Sequence, residues 1–494
     1  MKTVLNFIDG KWVESESRAW RERENPADSR EIIAKVTQSV KEDVEKAVEA
    51  ASKAFEKWRN KPAPRRGEIL FRAGEILKNR KEELARIITL EMGKVIVEAR
   101  GDVQEAIDMC YYMAGEGRRL FGETTPSELP DKDIKTIREP LGVVAAITPW
   151  NFPVAIPSWK ILPALICGNT VVLKPSSYTS YSASVFIECL NEAGVPPGVV
   201  NQVNGGGEIG EILVKQRGIQ AVSFTGSTEV GFKIEKLSVE RHIPFMCEMG
   251  GKNAIIVLED ADIDLAVNGA VWGGYGTAGQ RCTAASRLIV QERIFEKFKE
   301  KLVNEVKKLK IGSGLDENVN IGPLVSESQR KRVHNYTQIG VGEGAKLITG
   351  GKYYTGNGCE NGYFYEPTLF ENVTPDMRIA QEEIFGPVVA LIQCEDFKDA
   401  LEIANGTNYG LSLAIYTRDI NKAAIAEKEL QSTIVYINAP TIGAEIHAPF
   451  GGIKNTGLLH KEAGGRGGAI DFYSRVKVVY RDYSGRLQRA QIDK

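Results

Sequence analysis

Histidine is scarce in this chain: four occur among 494 residues, and none stands with a cysteine in a recognisable catalytic signature. A base other than histidine must therefore serve any cysteine nucleophile. The seven cysteines (Cys110, Cys167, Cys189, Cys247, Cys282, Cys359 and Cys394) are odd in number and scattered, and no C-x-x-C pair occurs. That argues against a disulfide framework and against a thiolate zinc site; no metal is expected, and a reducing compartment is indicated. Neither sign of charge dominates, with Lys and Arg at 63 and Asp and Glu at 65, a net charge of −2. Nucleic acid and anionic membranes thus have no electrostatic hold on the protein. No run approaches the roughly 18 apolar residues of a membrane span. The opening "MKTVLNFIDGKWVES" lacks the apolar stretch of a signal peptide, which makes a cytoplasmic enzyme the expectation. Repeats and low-complexity segments are lacking too.

What is present is the composition of a globular protein, 43% hydrophobic and 26% charged. Such a length exceeds one small core, so two or three domains are expected. Ser39-x-x-Glu42 reads as a capping box, and Val44, Val48, Ala51, Phe55 and Trp58 then recur at helical spacing. A second helix is predicted around Ile69, Leu70, Ala73, Ile76 and Leu77. The middle of the chain changes to short β-branched runs, "GVVAAI", "NTVVLK", "AVSF" and "NAIIVL", each followed by a turn or helix start. "RLIV" follows, then a helix carrying Phe295, Phe298, Leu302, Val306 and Leu309, then "PVVALI" and "LSLAIY". Apolar strands alternating with helices predict parallel sheets covered on both faces. A late strand near "FYSRVKVVY" needs a sheet to join. The fold class expected is α/β: two α/β domains plus a β arm.

Ligands of open α/β sheets bind beyond the C-terminal strand ends, which selects four places. "VVAAI" ends in Thr148-Pro149-Trp150-Asn151, "VVL" in Lys174-Pro175, and "AVSF" in Thr225-Gly226-Ser227-Thr228, while Cys247-Glu248-Met249 leads into "NAIIVL". Gly205, Gly207 and Gly210 in "NGGGEIG" satisfy G-x-G-x-x-G, a dinucleotide fingerprint where it joins strand to helix. "FTGSTEVG" is the better phosphate loop, because Gly226 permits a tight turn and the amides at Ser227 and Thr228 open a helix; an ordinary N-cap fits the same pattern. Lys174 suits a ribose or phosphate contact, or a solvated turn. Asn151, wedged between Trp150 and Phe152, suits oxyanion stabilisation, or a turn. Glu248 in an apolar setting suits a base with a raised pKa, or a satisfied structural carboxylate.

The stretch "GGYGTAGQRCTAASR" places Cys282 among small and polar residues, with Arg281 and Thr283 beside it. A neighbouring cation would depress the thiol pKa. Read alone, nucleophile and small core residue stay equally open for Cys282. Cys167, Cys189 and Cys394, among apolar neighbours, read as core.

Seven stretches in order, "PWNFP", "VVLKPS", "FTGSTEVG", "EMGGKNA", "GQRCTAASR", "EEIFGPV" and "PFGGIKNTG", resemble the aldehyde dehydrogenase superfamily across nearly the whole chain. The resemblance implies a Rossmann-like cofactor domain, a catalytic domain and an oligomerisation arm. It sets the expected boundaries at 1–120 and 141–250 for the cofactor domain, 251–449 for the catalytic domain, and 450–467 for a return segment. The arm and tail are expected at 121–140 and 468–494. It also implies Cys282 as nucleophile, Glu248 as base, and Asn151 with the Cys282 amide as oxyanion donors. Thr148, Pro149, Trp150, Lys174, Ser176, Ser177, Gly207, Phe224, Gly226, Ser227, Glu383 and Phe385 are implied to bind the nicotinamide cofactor. Members act on small aldehydes and are commonly homodimers or homotetramers. CoA-acylating relatives typically lack the glutamate, so Glu248 implies water as acyl acceptor.

Three positions stand apart. Many NAD-preferring members carry a glutamate where Ser177 stands; a hydroxyl beside Lys174 accepts a 2′-phosphate that a carboxylate would repel, so NADP is expected to be used well, with NAD the alternative. Arg281 is similar to relatives acting on carboxylate-bearing semialdehydes, where it would bind the carboxylate with Thr283 nearby, unless it pairs with a protein carboxylate. Glu462 is a candidate for the second, proton-relaying glutamate of some members. The extension "RDYSGRLQRAQIDK" would cover a neighbouring subunit or the substrate entrance.

Overall fold

A computed structural model of the protein describes residues 1–458 and 460–492. Leu459, in the expected return segment, and Asp493 and Lys494, in the expected tail, lie outside the described residues.

The runs Val143–Ile147 and Thr170–Lys174 are buried at every position, as strands covered on both faces must be. They form the middle of a seven-stranded sheet in the order Phe245–Glu248, Ile219–Thr225, Val143–Ile147, Thr170–Lys174, Val200–Gln202, Asn6–Ile8, Lys11–Val13. The first five strands are parallel, and the last two add an antiparallel edge. A second seven-stranded sheet runs Lys346–Thr349, Thr368–Glu371, Val388–Cys394, Ala285–Gln291, Asn253–Val257, Ser412–Tyr416, Ile434–Ile437, and only its first strand is antiparallel. The class is the α/β architecture read from the alternation of strands and helices. The late strand, Ser474–Asp482, joins a sheet of its own chain: it pairs antiparallel with Lys132–Pro140, which also pairs with Thr124–Pro126.

The first helix spans Lys41–Arg59, and the capping box lies one residue later than read from the sequence. Val40 is the N-cap, and Asp43, not Glu42, accepts its amide through Oδ2 at 2.9 Å. Ser39 instead donates its hydroxyl to Asn6 at 2.9 Å, tying the helix entry to the sheet edge. Val44, Val48, Ala51 and Trp58 are buried there, and Ile69, Leu70, Ala73 and Leu77 in Ala63–Asn79. Helix Glu292–Val306 buries Phe295, Phe298, Leu302 and Val306, while Leu309 falls past its end.

Register decides where the site forms. Ile147 pairs with Lys174, Phe224 with both Ile147 and Cys247, and Thr225 with Glu248. Four strand ends therefore share one edge of the first sheet. Helix Ile96–Glu116 lies against helix Ala155–Cys167 just beyond that edge. Its Asp102 accepts the amides of Val154 and Ala155 at 3.3 and 2.7 Å and pairs with Lys94 at 3.0 Å. Both side chains of this pair are fully buried, so removing one strands the other charge. We expect Asp102→Ala to lower stability by about 3–5 kcal/mol in urea unfolding; a loss below about 1 kcal/mol, the value of a surface pair, would contradict this account of the helix.

Candidate active site

A cavity of about 750 Å³ opens along the shared strand edge. Thr148, Pro149, Trp150, Lys174, Ser176, Ser177, Gly207, Phe224, Gly226, Ser227, Glu383 and Phe385 all line it, together with Asn151 and Cys282. Glu248, Arg281 and Thr283 are not among the residues that line it.

Cys282 follows a turn whose backbone is left-handed at three successive residues, Thr277, Ala278 and Gly279 (φ 52°, 53° and 68°). Such conformations cost non-glycine residues about 1–3 kcal/mol each unless the surroundings impose them. Glu98 does so here. Its carboxylate accepts the Thr277 amide at 2.8 and 3.0 Å and the Thr277 hydroxyl at 2.9 Å. It also accepts from Arg281 Nη2 at 3.2 Å, while Arg281 Nε donates to the Thr277 hydroxyl at 2.8 Å. Asn253 fixes the far side, donating to the Cys282 and Ala284 carbonyls at 2.7 and 3.0 Å. Thr283 is held through its carbonyl, which accepts the Thr441 hydroxyl at 2.7 Å. Asn151 Nδ2 donates to the Gln280 carbonyl at 3.1 Å, which brings its amide to the nucleophile loop.

The electrostatics correct one expectation. Arg281 turns to Glu98 and does not depress the thiol; burial first, then the carboxylates Glu383, Glu462 and Glu248, push Cys282 up to about 12. Glu248 ends its strand with Oε2 accepting the Gly452 amide at 2.9 Å and Oε1, though buried, bonded to nothing. Burial, with the negative charge of Glu462, holds its carboxyl well above the ordinary carboxylate range. Glu462 itself accepts the Thr225 hydroxyl at 2.5 Å and the Lys160 ammonium, and Lys160 also donates to Ser223 at 3.0 Å. Among the described residues no His, Cys, Asp and Glu group is placed to hold a metal.

The groove suits a dinucleotide. Ser227 caps helix Thr228–Glu240 without a side-chain bond, so the first amides of that helix are free to take phosphate. A Cβ at Gly226 would come to 2.5 Å from the tip of the Phe224 ring, so a larger residue there would have to displace that ring. Lys174, its pKa lowered by burial to about 8, donates to the Pro175 and Gly205 carbonyls at 2.8 and 3.3 Å, which leaves a third N–H. Thr148 Oγ1 is buried and unpartnered on the same wall. At the other end Trp150 meets Phe385 edge-on, 5.3 Å between centroids. Phe385 is left-handed (φ 61°), and Gln329 donates to its carbonyl at 2.8 Å and to that of Ile384 at 3.2 Å. Glu383 accepts the Gly251 amide at 2.9 Å, and Arg332 donates to its carbonyl at 2.8 Å. Gln329, Arg332, Glu98 and Asn253 escaped the sequence reading, for no local pattern marks a residue whose partner lies elsewhere in the chain.

A model of the aldehyde dehydrogenase family matches residues 12–479. The chain is 44% identical to the alpha-ketoglutaric semialdehyde dehydrogenase of Bacillus subtilis, covering 97% of this chain and 98% of that protein. It is 41% identical to the 2,5-dioxopentanoate dehydrogenase of Saccharolobus solfataricus, covering 98% and 100%. Betaine aldehyde dehydrogenase of Staphylococcus aureus, solved in complex with NAD+, superposes with a TM-score of 0.95 at 37% identity, covering 98% of this chain and 95% of that one.

The other six cysteines are buried, and Cys282 is the one partly open to the groove. Iodoacetamide is therefore expected to alkylate Cys282 first in the cofactor-free protein. With the thiol pushed up, the rate should climb about tenfold per unit between about pH 7 and 9, and a plateau reached near neutral pH would contradict the carboxylate-dominated environment.

Proposed function

The chain belongs to the aldehyde dehydrogenase family and is an NAD(P)-dependent enzyme oxidising aldehydes to acids, and from that premise we propose the roles of its residues, its cofactor preference and its substrate class. Cys282 attacks the aldehyde carbon, and its proton passes to Glu248, the buried carboxyl with an unbonded oxygen. Asn151 Nδ2 and the Cys282 amide hold the oxyanion of the thiohemiacetal. When bound, NAD(P) supplies the hydride acceptor that converts thiohemiacetal to thioester. Once Glu248 has given up the thiol proton, it takes a proton from water as that water attacks the thioester, and returns it to the departing sulfur, which releases the acid and the Cys282 thiol. The single observation carrying the hydrolytic reading is Glu248: a buried carboxyl at a strand end, with one oxygen held by the Gly452 amide and the other unbonded, is placed to accept a proton. Lys160, Thr225 and Glu462 form a buried chain behind it through which protons would leave.

For the cofactor we favour NADP over NAD, because Ser177 and Lys174 share the groove wall and no carboxylate stands at position 177. For the substrate we favour a dicarboxylic semialdehyde, on the strength of the two semialdehyde-type relatives. Arg281 is engaged by Glu98 and Thr277, so we assign it to holding the nucleophile loop in preference to binding the substrate carboxylate. We further propose a homodimer or homotetramer assembled through the arm strands 124–140 and 474–482. The seven free cysteines favour the cytoplasm. The domain division proposed remains 1–120 and 141–250, 251–449, and 450–467 with the arm at 121–140 and 468–494.

The test mixes enzyme, NADP and 2-oxoglutarate semialdehyde without CoA. NADPH is expected to form continuously, and Cys282→Ser should lower kcat at least about 10³-fold. Silence of the wild type, or equal activity in Cys282→Ser, would overturn the assignment. A kcat/KM for NAD more than about tenfold above that for NADP, about 1.4 kcal/mol of transition-state binding, would overturn the cofactor preference.

A further inference from the structure

Arg21 stands in the edge strand Trp20–Asn25 of a three-stranded sheet built from the first 37 residues, far in sequence from the groove. The fold nonetheless brings its Nη1 to the Ser177 hydroxyl, to which it donates at 3.3 Å across 156 positions. Its guanidinium lies over the Tyr178 ring, 5.5 Å from the centroid. That contact steadies the side chain without neutralising it. Among the described residues Arg21 makes no ion pair, whereas Arg30 of the same sheet is matched to Asp28 at 2.7 Å. Arg23, two residues on, is buried and consumed by the Glu91 and Val325 carbonyls. The chain thus brings one exposed guanidinium, with no ion pair among the described residues, against Ser177, which lines the cavity with Lys174.

The other charges at this end are accounted for. Glu211 pairs with Lys215 at 3.6 Å, and Lys233 with Glu229 at 2.8 Å. Glu208, in the first turn of helix Gly207–Lys215, is the carboxylate whose field reaches Lys174. Against that single negative charge stand Lys174 and Arg21. A phosphate monoester carries about −1.5 to −2 charges and three acceptor oxygens, and a guanidinium fork matches it with two parallel bonds. A bare 2′-hydroxyl offers that fork no charge to meet.

We propose that Arg21 is a specificity-determining residue of the cofactor site, the cation that recognises the 2′-phosphate of NADP across Ser177, an inference that rests on the NADP reading above. The N-terminal sheet, outside the sheet that carries the strand-end loops, thereby contributes to cofactor choice.

The test is calorimetric and needs no turnover: adenosine 2′,5′-bisphosphate and 5′-AMP are titrated into the wild type, Arg21→Ala and Arg21→Lys. The wild type should bind the bisphosphate at least about tenfold more tightly than AMP. Arg21→Ala should lose about ten- to a hundredfold in affinity for the bisphosphate with AMP unchanged, and Arg21→Lys should recover part of it. If Arg21→Ala keeps the wild-type discrimination, the proposal is wrong while the NADP reading stands. Equal losses for both nucleotides would make Arg21 an adenosine contact and overturn the proposal as well. If the wild type itself binds the two equally, the NADP reading fails and takes the proposal with it.

Discussion

Two carboxylates one helical turn apart, Glu98 and Asp102 on helix Ile96–Glu116, set the geometry on which the rest of the site depends. Asp102 grips the amides of Val154 and Ala155, at the exit of the loop that carries Asn151. Glu98 grips Thr277 and Arg281, at the entrance to Cys282. Residues at i and i+4 share a helix face, so one rigid element fixes the oxyanion amide and the nucleophile relative to each other. The left-handed backbone at Thr277 and Ala278 would relax without that grip. Misplacing a reacting group by about 1 Å costs up to about 100-fold in rate, which is the scale of benefit the clamp supplies. The small residues of the nucleophile stretch fit the same picture. A Cβ at Gly279 would strike the Gly386 carbonyl, and, facing the stretch from outside it, one at Gly251 would come to 2.5 Å from the Cys282 carbonyl.

The charge pattern around the sulfur follows from this geometry. Arg281 is spent on Glu98, so the groups that act on Cys282 are carboxylates, Glu383, Glu462 and Glu248. Burial and these carboxylates disfavour the thiolate, so attack on the aldehyde draws on a base. Glu248 meets the need because it is buried with one oxygen unbonded, while burial and the charge of Glu462 hold its carboxyl above the ordinary carboxylate range and so raise its proton affinity. Lys461, whose charge acts on Glu248, and Lys160, buried against Glu462, supply cations to the inner network. Acid and base are thus tuned by the same desolvation.

Much of this was legible in the sequence where function sits at strand ends. Lys174, Ser227 and Asn151 were placed by short β-branched runs, and the fold aligned those ends through register. The helix periodicities around Leu70 and Phe298 also carried through. Local signals failed where a distant partner decided the outcome. Ser39 gave up the cap to bond Asn6, and Arg281 turned to a glutamate 183 positions away. The late strand found Lys132–Pro140 across more than three hundred residues. Gln329 and Glu98 carry no motif at all, since their significance lies in the strained backbone each supports.

The central claim is that Cys282 carries the acyl group and Glu248 removes it. Glu248→Gln keeps the size of the side chain and the acceptor for Gly452 while abolishing the base. Rapid mixing of this variant with cofactor and aldehyde at about pH 9, where a fraction of the Cys282 thiol ionises without help from Glu248, is expected to trap a thioester, read by peptide mass spectrometry as the acyl mass on Cys282. The steady-state rate should then fall by about 10²- to 10⁴-fold, the contribution of a positioned base. Steady turnover at the wild-type rate with Cys282 unmodified would contradict the account.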